Sequence, residues 1–190
     1  MRLFVSIGLP EDLAEAIAAL QAEFSEASGL RFTDPEGVHV TLKFLGEVDE
    51  DRVPELEEAL ETAVVESAVS PFGAEYGGLG VFPSLDYISV LWLGVRDGAA
   101  EMTRLAEAIE RETVALGFDP ANHEFTPHVT LARMNHAGGK ELVRRLVENR
   151  DPTVGRAAVR SIELTRSDLG QNGPAYSTVA SIPLDGLSLS

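Results

Sequence analysis

The sequence predicts an α+β fold of two pseudo-symmetric lobes, each an antiparallel-rich sheet covered by helices on its outer side, with a central cleft between them. Two observations support this prediction. Single amphipathic helices separate apolar strands, and the order of these elements in the first half recurs in the second half at an offset of about 86 to 91 residues. The chain of 190 residues is long enough for a sizeable core. We therefore expect a single bilobal domain over 1–190 with interleaved lobes and an internal repeat at approximately 1–84 and 85–190.

The first half begins with an apolar strand predicted over 3–7. A helix over 11–24 follows, because a proline precedes it and apolar residues then recur at helical spacing. A second strand is predicted over 38–45. The next helix, over 51–65, has an acidic start and a proline in its first turn. A further strand is expected near 72–79.

The second half repeats this order of elements. A strand over 89–95 precedes a helix over 102–116, which stops at a glycine typical of a helix C-cap. A strand over 127–132 and a shorter helix over 140–147 come next. The remaining predicted strands cover 158–165 and 176–183.

The composition is globular and acidic, with 31 Asp and Glu against 15 Lys and Arg, a formal net charge of −16 and no cysteine. The lack of cysteine excludes a disulfide framework, a thiolate nucleophile and a cysteine-ligated metal. No uncharged stretch approaches the roughly 18 apolar residues of a membrane span. We therefore expect a soluble, cytoplasmic protein. Taken as a whole, the net charge argues against a polyanionic partner such as nucleic acid.

The charges are unevenly distributed along the chain. Residues 1–95 carry 18 acidic and 4 basic residues and residues 96–190 carry 13 and 11, so the two halves have net charges of −14 and −2. The second half can therefore face an anion. Only two of the 15 basic residues are lysines, and we take this composition as a hypothesis of a halophile-like protein, whose self-repulsion salt would screen. The alternative is an ordinary acidic protein that favours arginine.

The strongest signal is a repeated tetrapeptide. His39-Val40-Thr41-Leu42 and His128-Val129-Thr130-Leu131 lie 89 residues apart, on equivalent strands of the repeat. Alternate side chains of a strand point to one face, so each motif projects an imidazole and a hydroxyl together. The valine and leucine face the opposite, helix-covered side, where Phe44 is also expected. Packing accounts for the apolar residues but not for two polar residues that share a face.

Two such pairs, related by a pseudo-twofold axis, suit a phosphate diester as substrate. One neutral histidine can take a proton from a nucleophile while the other, as imidazolium, gives a proton to the leaving oxygen. Threonine hydroxyls can donate hydrogen bonds to the non-bridging oxygens as charge develops. The arrangement requires neither a metal nor a cofactor. Its symmetry leaves open which histidine is the acid.

Several nearby residues have both a structural and a functional interpretation. Lys43 is expected on the cleft face, where it either contacts phosphate or stays solvated at the rim. Phe82-Pro83 is either a base-stacking edge or a turn anchor. Trp92 is expected in the core. His123 and His136 are expected in solvated loops.

With its two His-x-Thr-x motifs (the HxTx motif), the chain resembles the 2H phosphoesterase superfamily. More narrowly, it resembles the RNA 2′,3′-cyclic phosphodiesterase family, historically called the 2′-5′ RNA ligase family. The likeness covers nearly the whole chain. It includes the opening strand and the segments His39–Val48, Phe82-Pro83, Phe125–Arg133 and Gly173–Tyr176.

This resemblance implies an RNA-processing hydrolase that opens a terminal 2′,3′-cyclic phosphate to a 2′-phosphomonoester. His39 would be the proton donor to the departing 3′ oxygen and His128 the proton acceptor that activates water. Thr41 and Thr130 would bind the phosphate oxygens. Arg133 would add positive charge near the phosphate or base, although strict alternation places it on the opposite face unless the strand bulges. With an RNA 5′-hydroxyl as nucleophile, the same chemistry gives a 2′-5′ linkage without ATP.

Two other functions stay open on sequence grounds. One is a phosphodiesterase that acts on a small cyclic nucleotide or an ADP-ribose cyclic phosphate, since a small substrate needs no extended basic surface. The other is a non-enzymatic nucleotide- or RNA-binding module with a relic site, although both motifs are intact. The resemblance further implies a monomer without a cofactor.

Overall fold

The computed structural model describes residues 1–185, so residues 186–190 of the expected domain lie outside it. The described part of the chain contains nine strands and four α-helices. The strands are β1 (Arg2–Gly8), β2 (Leu30–Phe32), β3 (His39–Glu47), β4 (Phe72–Ser84), β5 (Tyr87–Val95), β6 (His128–Met134), β7 (Thr153–Val159), β8 (Ser161–Gly170) and β9 (Gly173–Pro183). The helices are α1 (Ala14–Ala22), α2 (Val53–Ser67), α3 (Ala99–Ala115) and α4 (Lys140–Asn149). Each predicted helix is present, with ends that differ by at most three residues.

All nine strands belong to one antiparallel sheet in the order β7-β4-β5-β6-β3-β1-β8-β9, with β2 paired to β6. The sheet consists of two four-stranded halves, β7-β4-β5-β6 and β3-β1-β8-β9. They meet between β6 and β3, where Val40 lies opposite Val129. The two strands that begin with the His-x-Thr-x motifs are therefore neighbours at the centre of the molecule.

Each half of the sheet is covered by two helices, and a helix does not always cover the half that contains the strand before it. Helices α2 and α3 pack against each other and contact β9 and β3, whereas α1 and α4 contact β6, β7 and β4. Helix α1 thus follows β1 in the chain but covers the half to which β1 does not belong. This arrangement confirms the predicted α+β fold with two lobes. Within residues 1–185, no helix is long and apolar enough to span a membrane.

The core lies between the sheet and these helices. Leu56 and Leu60 on α2, and Leu105 and Ile109 on α3, are fully buried and repeat at four-residue spacing. Burying one such side chain stabilises the fold by about 1.5–3 kcal/mol. The helices leave the other face of the junction between β3 and β6 uncovered, and this face carries the polar residues of the motifs.

The predicted strand over 158–165 is wrong. Two strands, β7 and β8, replace it, because β7 pairs with β4 and β8 pairs with β1 in the other half of the sheet. The chain crosses between the halves at Arg160, so no continuous strand can form there. Strand β2 is absent from the prediction because three residues give no periodic signal. Strand β4 extends to Ser84, five residues beyond the predicted 72–79.

Candidate active site

The two motifs meet at the junction of the sheet halves. His39 and His128 are the first residues of β3 and β6, next to the pair formed by Val40 and Val129. Both valines are fully buried, whereas the histidines and threonines of the motifs are half-buried and point to the other face. In this register the histidines occupy diagonal positions, with Cα atoms roughly 7–8 Å apart. The imidazoles therefore lie on either side of a shared gap.

A backbone carbonyl orients each imidazole in the same way. His39 Nδ1–H donates a hydrogen bond of 2.9 Å to Gly37 O, and His128 Nδ1–H donates one of 2.6 Å to Thr126 O. Because a carbonyl can only accept, the proton of each neutral ring is on Nδ1. The Nε2 atom of each histidine is thus the one that can exchange a proton with a ligand.

Burial lowers the pKa of both histidines below its ordinary value. For His39, desolvation is the largest cause of the lowered pKa; its backbone hydrogen bond opposes this effect, and the neighbouring His128 adds to it. Desolvation also dominates the lowered pKa of His128, again against its backbone hydrogen bond, with Arg133 and His123 contributing in the same direction. At neutral pH both rings of the free protein are therefore mostly uncharged.

A β-bulge on β6 brings Arg133 to the cleft face. The register between β5 and β6 shifts by one residue after Thr130, so Leu131 is the extra residue. Leu131 and Ala132 are consequently both buried, and Arg133 is exposed on the face that carries His128. The sequence allows Arg133 to reach the cleft only if its strand bulges, and the structure contains this bulge.

The same bulge follows Thr41 on β3, with Leu42 as the extra residue. Leu42 and Lys43 are both buried, and Phe44 has 66% of its surface exposed. Two sequence-based expectations are therefore wrong. Lys43 is not on the cleft face and cannot contact a phosphate there, and Phe44 is not on the helix-covered face. Strict alternation fails because nothing in the residue pattern marks the extra residue.

The buried Lys43 connects β3 to the segment that precedes β6. Its Nζ donates hydrogen bonds of 2.6 Å to Glu110 Oε2 and to Asp119 O. Ala121 N donates to Glu110 Oε1 over 2.7 Å. Desolvation raises the pKa of Glu110, but the hydrogen bonds from Lys43 and Ala121 outweigh it and leave this pKa below its ordinary value. The ion pair thus anchors the chain between α3 and His128.

We expect Lys43→Met to lower the free energy of unfolding by about 2–3 kcal/mol. Methionine keeps the apolar stem, but Glu110 and the Asp119 carbonyl lose their donor. The loss is smaller than for a fully buried pair because the Glu110 side chain is 30% exposed. Urea unfolding measures the change, with Lys140→Met as control, since Lys140 Nζ donates to the exposed Asp86 carbonyl. Equal stabilities of the two variants would contradict the anchoring role of Lys43.

Aromatic rings surround His39. Phe4 stacks on its imidazole with 4.8 Å between ring centroids, and Tyr176 meets it edge-on at 5.1 Å. Phe44 lies 6.1 Å from Phe4 on the same face. No pattern in the sequence marks these rings as neighbours of His39. Tyr176 belongs to a segment that carries the family resemblance, but its approach to His39 depends on the pairing of β9 with β8.

His128 is also flanked by aromatic rings. Phe82 meets it edge-on at 4.9 Å and Trp92 lies 5.9 Å away. Phe82 lies within β4, and its contact with His128 places it at the border of the cleft. Trp92 is half-buried, so the expectation that it lies in the core is wrong. Gly80 leaves room for its indole, because a Cβ at this position would lie 2.1 Å from Trp92 Cζ2.

The other two histidines are exposed, as the sequence predicts. His123 precedes β6, and His136 follows it in a loop where its Nδ1 accepts a hydrogen bond of 3.2 Å from Gly138 N. Within residues 1–185, no three His, Asp or Glu side chains lie close enough together to hold a metal ion.

One protein-family model matches two successive segments of the chain. The model of LigT-like phosphoesterases covers residues 7–92 and again residues 93–176. The chain belongs to the LigT-like phosphoesterase family. Each match contains one His-x-Thr-x motif, so the two halves of this LigT-like phosphoesterase contribute one motif each to the cleft.

Relatives of this LigT-like phosphoesterase include two archaeal proteins named RNA 2′,3′-cyclic phosphodiesterase. That of Aeropyrum pernix is 40% identical over 151 residues, or 79% of this chain and 84% of that protein. That of Methanocaldococcus jannaschii is 31% identical over 180 residues, or 94% of this chain and 98% of that protein.

Solved structures resemble the LigT-like phosphoesterase over nearly its whole length. The crystal structure of TT0787 from Thermus thermophilus has a TM-score of 0.77 and 28% identity, and the match covers 98% of this chain and 99% of that one. The crystal structure of E. coli LigT complexed with 3′-AMP has a TM-score of 0.76 and 26% identity, with 96% and 97% covered. Both matches include the two halves of the sheet.

Proposed function

We propose that this chain hydrolyses the 2′,3′-cyclic phosphate at the end of an RNA to a 2′-phosphomonoester. One observation carries the proposal: two histidines, one from each half of the sheet, present free Nε2 atoms to the same gap. Opening a cyclic diester requires a base for water and an acid for the leaving oxygen, and the two imidazoles can serve as both. The names of the archaeal relatives support this substrate.

In the proposed mechanism, His128 is the proton acceptor and His39 the proton donor. His128 Nε2 takes a proton from water while the water oxygen attacks phosphorus. His39, as imidazolium, gives its Nε2 proton to the 3′ oxygen as the bond from that oxygen to phosphorus breaks. The bond to the 2′ oxygen is retained, which gives the 2′-phosphomonoester. Arg133 supports this assignment, because its charge lowers the pKa of His128 and so favours the neutral base.

Thr41 and Thr130 are the proposed ligands of the non-bridging phosphate oxygens. Each follows its histidine by two residues on the same strand face, so the two hydroxyls approach the gap from opposite halves of the sheet. Hydroxyl donors in these positions stabilise the charge that develops on the phosphate oxygens. Arg133 adds a positive charge at the same edge.

The same residues can serve 2′-5′ RNA ligation. An RNA 5′-hydroxyl in place of water would attack the same phosphorus and give a 2′-5′ linkage, and the two histidines would exchange roles in the reverse reaction. We propose that the protein acts as a monomer without a cofactor, as the family resemblance implies, and that it acts in the cytoplasm, as expected from its composition.

We expect kcat/KM to reach its maximum below about pH 6.5 and to fall toward neutral pH. This parameter reports the free enzyme, in which both histidine pKa values are lowered. A pH above the lowered pKa values removes the imidazolium donor, and a pH below them protonates the base. Bound phosphate stabilises the imidazolium, so kcat should peak at a higher pH. Steady-state kinetics test this, and a kcat/KM maximum above about pH 7 would contradict it.

The direct test is hydrolysis of an oligoribonucleotide with a 2′,3′-cyclic phosphate end in excess EDTA. We expect an unchanged rate, because two histidines, two threonines and one arginine supply the required proton transfers and charge. Phosphorus NMR identifies the product, which should be the 2′-phosphomonoester alone. Loss of turnover on chelation, or a 3′-phosphomonoester product, would contradict the proposal.

A small cyclic nucleotide is the second candidate substrate. The net charge of −16 favours it, since long-range attraction of an RNA chain to this protein is weak. Comparing kcat/KM for a 2′,3′-cyclic mononucleotide and for an oligonucleotide with the same end distinguishes the two. The intact histidine and threonine in both motifs favour an enzyme over a relic binding module.

A further inference from the structure

Strand β2 places a second arginine beside Arg133. In the pairing of β2 with β6, Arg31 lies directly opposite Arg133. Cross-strand partners of an antiparallel pair share a face, with Cβ atoms about 5 Å apart. Both residues are exposed. Arg31 therefore extends the positive edge of the cleft one strand beyond Arg133, on the face that carries His128 and Thr130.

Opposed like charges destabilise a strand pair unless an opposite charge compensates them. Within residues 1–185, neither Arg31 nor Arg133 forms an ion pair or a side-chain hydrogen bond. Seven other arginines pair with carboxylates in that part of the chain; these are Arg52, Arg96, Arg111, Arg144, Arg150, Arg156 and Arg166. Two uncompensated guanidinium groups that face each other across a strand pair mark a site for an anion.

The position of the Arg31 guanidinium agrees with such a site. A Cβ at Gly173 would lie 3.5 Å from Arg31 Nη2, so the guanidinium lies beside the turn between β8 and β9. Tyr176, which follows Gly173 by three residues on β9, contacts His39. The guanidinium thus borders the cleft between β6 and the turn between β8 and β9, beyond the histidines that would hold the reacting phosphate.

We propose that Arg31, together with Arg133, binds a second phosphate of the substrate, the one attached to the 5′ oxygen of the terminal nucleoside. Thr130 and Arg133 lie opposite Trp92 and Val90, which are two residues apart on β5, so Arg133 lies roughly 7 Å along the strand from Thr130, about one nucleotide away. The group bound is a phosphodiester when the substrate is RNA and a phosphomonoester when it is a 5′-phosphorylated cyclic nucleotide. This inference rests on the proposed function and adds a determinant of substrate length.

Three substrates and three variants test the inference. The substrates are a nucleoside 2′,3′-cyclic phosphate, the same compound with a 5′-phosphate, and the dinucleotide with the same end. The variants are Arg31→Ala, Arg31→Lys and the control Arg145→Ala, which removes an exposed arginine of α4. We expect Arg31→Ala to lower the ratio of kcat/KM for either phosphorylated substrate to that for the plain nucleoside about tenfold. Lysine should restore part of this preference, and the control should keep it.

The stability of Arg31→Ala provides an independent readout. Removing one of two opposed charges should leave the melting temperature unchanged or raise it at low salt, whereas a structural arginine would lower it. A change in the ratio for the dinucleotide alone assigns the site to the RNA phosphodiester. An unchanged ratio for both phosphorylated substrates would overturn the inference and leave the proposed function intact. Wild-type protein that hydrolyses none of the three substrates would instead overturn the proposed function.

Discussion

Replacing either His39 or His128 with alanine is expected to lower kcat for cyclic phosphate hydrolysis by about 10³-fold. Each imidazole presents its Nε2 to the gap between β3 and β6, and no other titratable side chain of the motifs can replace it. The loss should appear in kcat, because the proton transfers occur only in the transition state. Cleavage of an oligonucleotide with a 2′,3′-cyclic phosphate end measures it.

The matched control is His136→Ala. This residue is exposed in the loop after β6 and accepts a hydrogen bond from Gly138 N, so its loss should leave kcat within about twofold. Thermal unfolding of all three variants shows whether they are folded. If both His39→Ala and His128→Ala kept more than about a tenth of wild-type kcat, acid–base catalysis by this pair would be wrong.

Thr41→Val and Thr130→Val are each expected to lower kcat by about 10²-fold or more. Valine keeps the shape of threonine and removes the hydroxyl that would donate to a non-bridging oxygen. The effect should fall on kcat more than on KM, because charge on these oxygens grows in the transition state. Steady-state kinetics with the cyclic-phosphate oligonucleotide provide the measurement.

Thr62→Val is the matched control for the threonine variants. The Thr62 hydroxyl bonds to the Glu58 carbonyl on the exposed side of α2, away from the junction of the sheet halves. Its kinetic constants should equal those of the wild type. An increase in KM without a change in kcat for Thr41→Val and Thr130→Val would show that these hydroxyls bind the ground state and do not stabilise the transition state.

The part of the site nearest the histidines was predictable because it depends on local strand geometry. Alternation correctly separates His39 and Thr41 from Val40, and the repeat at His128 indicates a symmetric partner. Beyond the threonines the same rule fails, since a bulge in each strand reverses the direction of the residues that follow. Phe44 and Lys43 exchange faces for this reason. A bulge depends on the pairing of neighbouring strands, which local periodicity does not reveal.

The fold shows the same limit. Helices were predicted to within three residues because their apolar periodicity is local. The break at Arg160 was not predicted, because it reflects the passage of the chain from β7 in one half of the sheet to β8 in the other half. The position of Arg31 opposite Arg133 likewise follows from a pairing between segments about 100 residues apart.

The fold also changes the interpretation of the charge distribution, because it pairs arginines with carboxylates that are distant in the sequence. The arginine-rich second half suggested a surface for an anion, but six of its 11 basic residues pair with carboxylates: Arg96, Arg111, Arg144, Arg150, Arg156 and Arg166. Local pairing therefore removes most of the apparent positive surface. Arg133 keeps its charge unpaired within residues 1–185, and it does so at the cleft.

The most direct test of the account is the double variant His39→Ala/His128→Ala, measured beside the two single variants. If the histidines form one acid–base pair, removing the second after the first should cause little further loss, and the double variant should retain about the kcat of the slower single variant. If the two losses multiply instead, the histidines act independently, and the central claim of a shared site at the junction of β3 and β6 is contradicted.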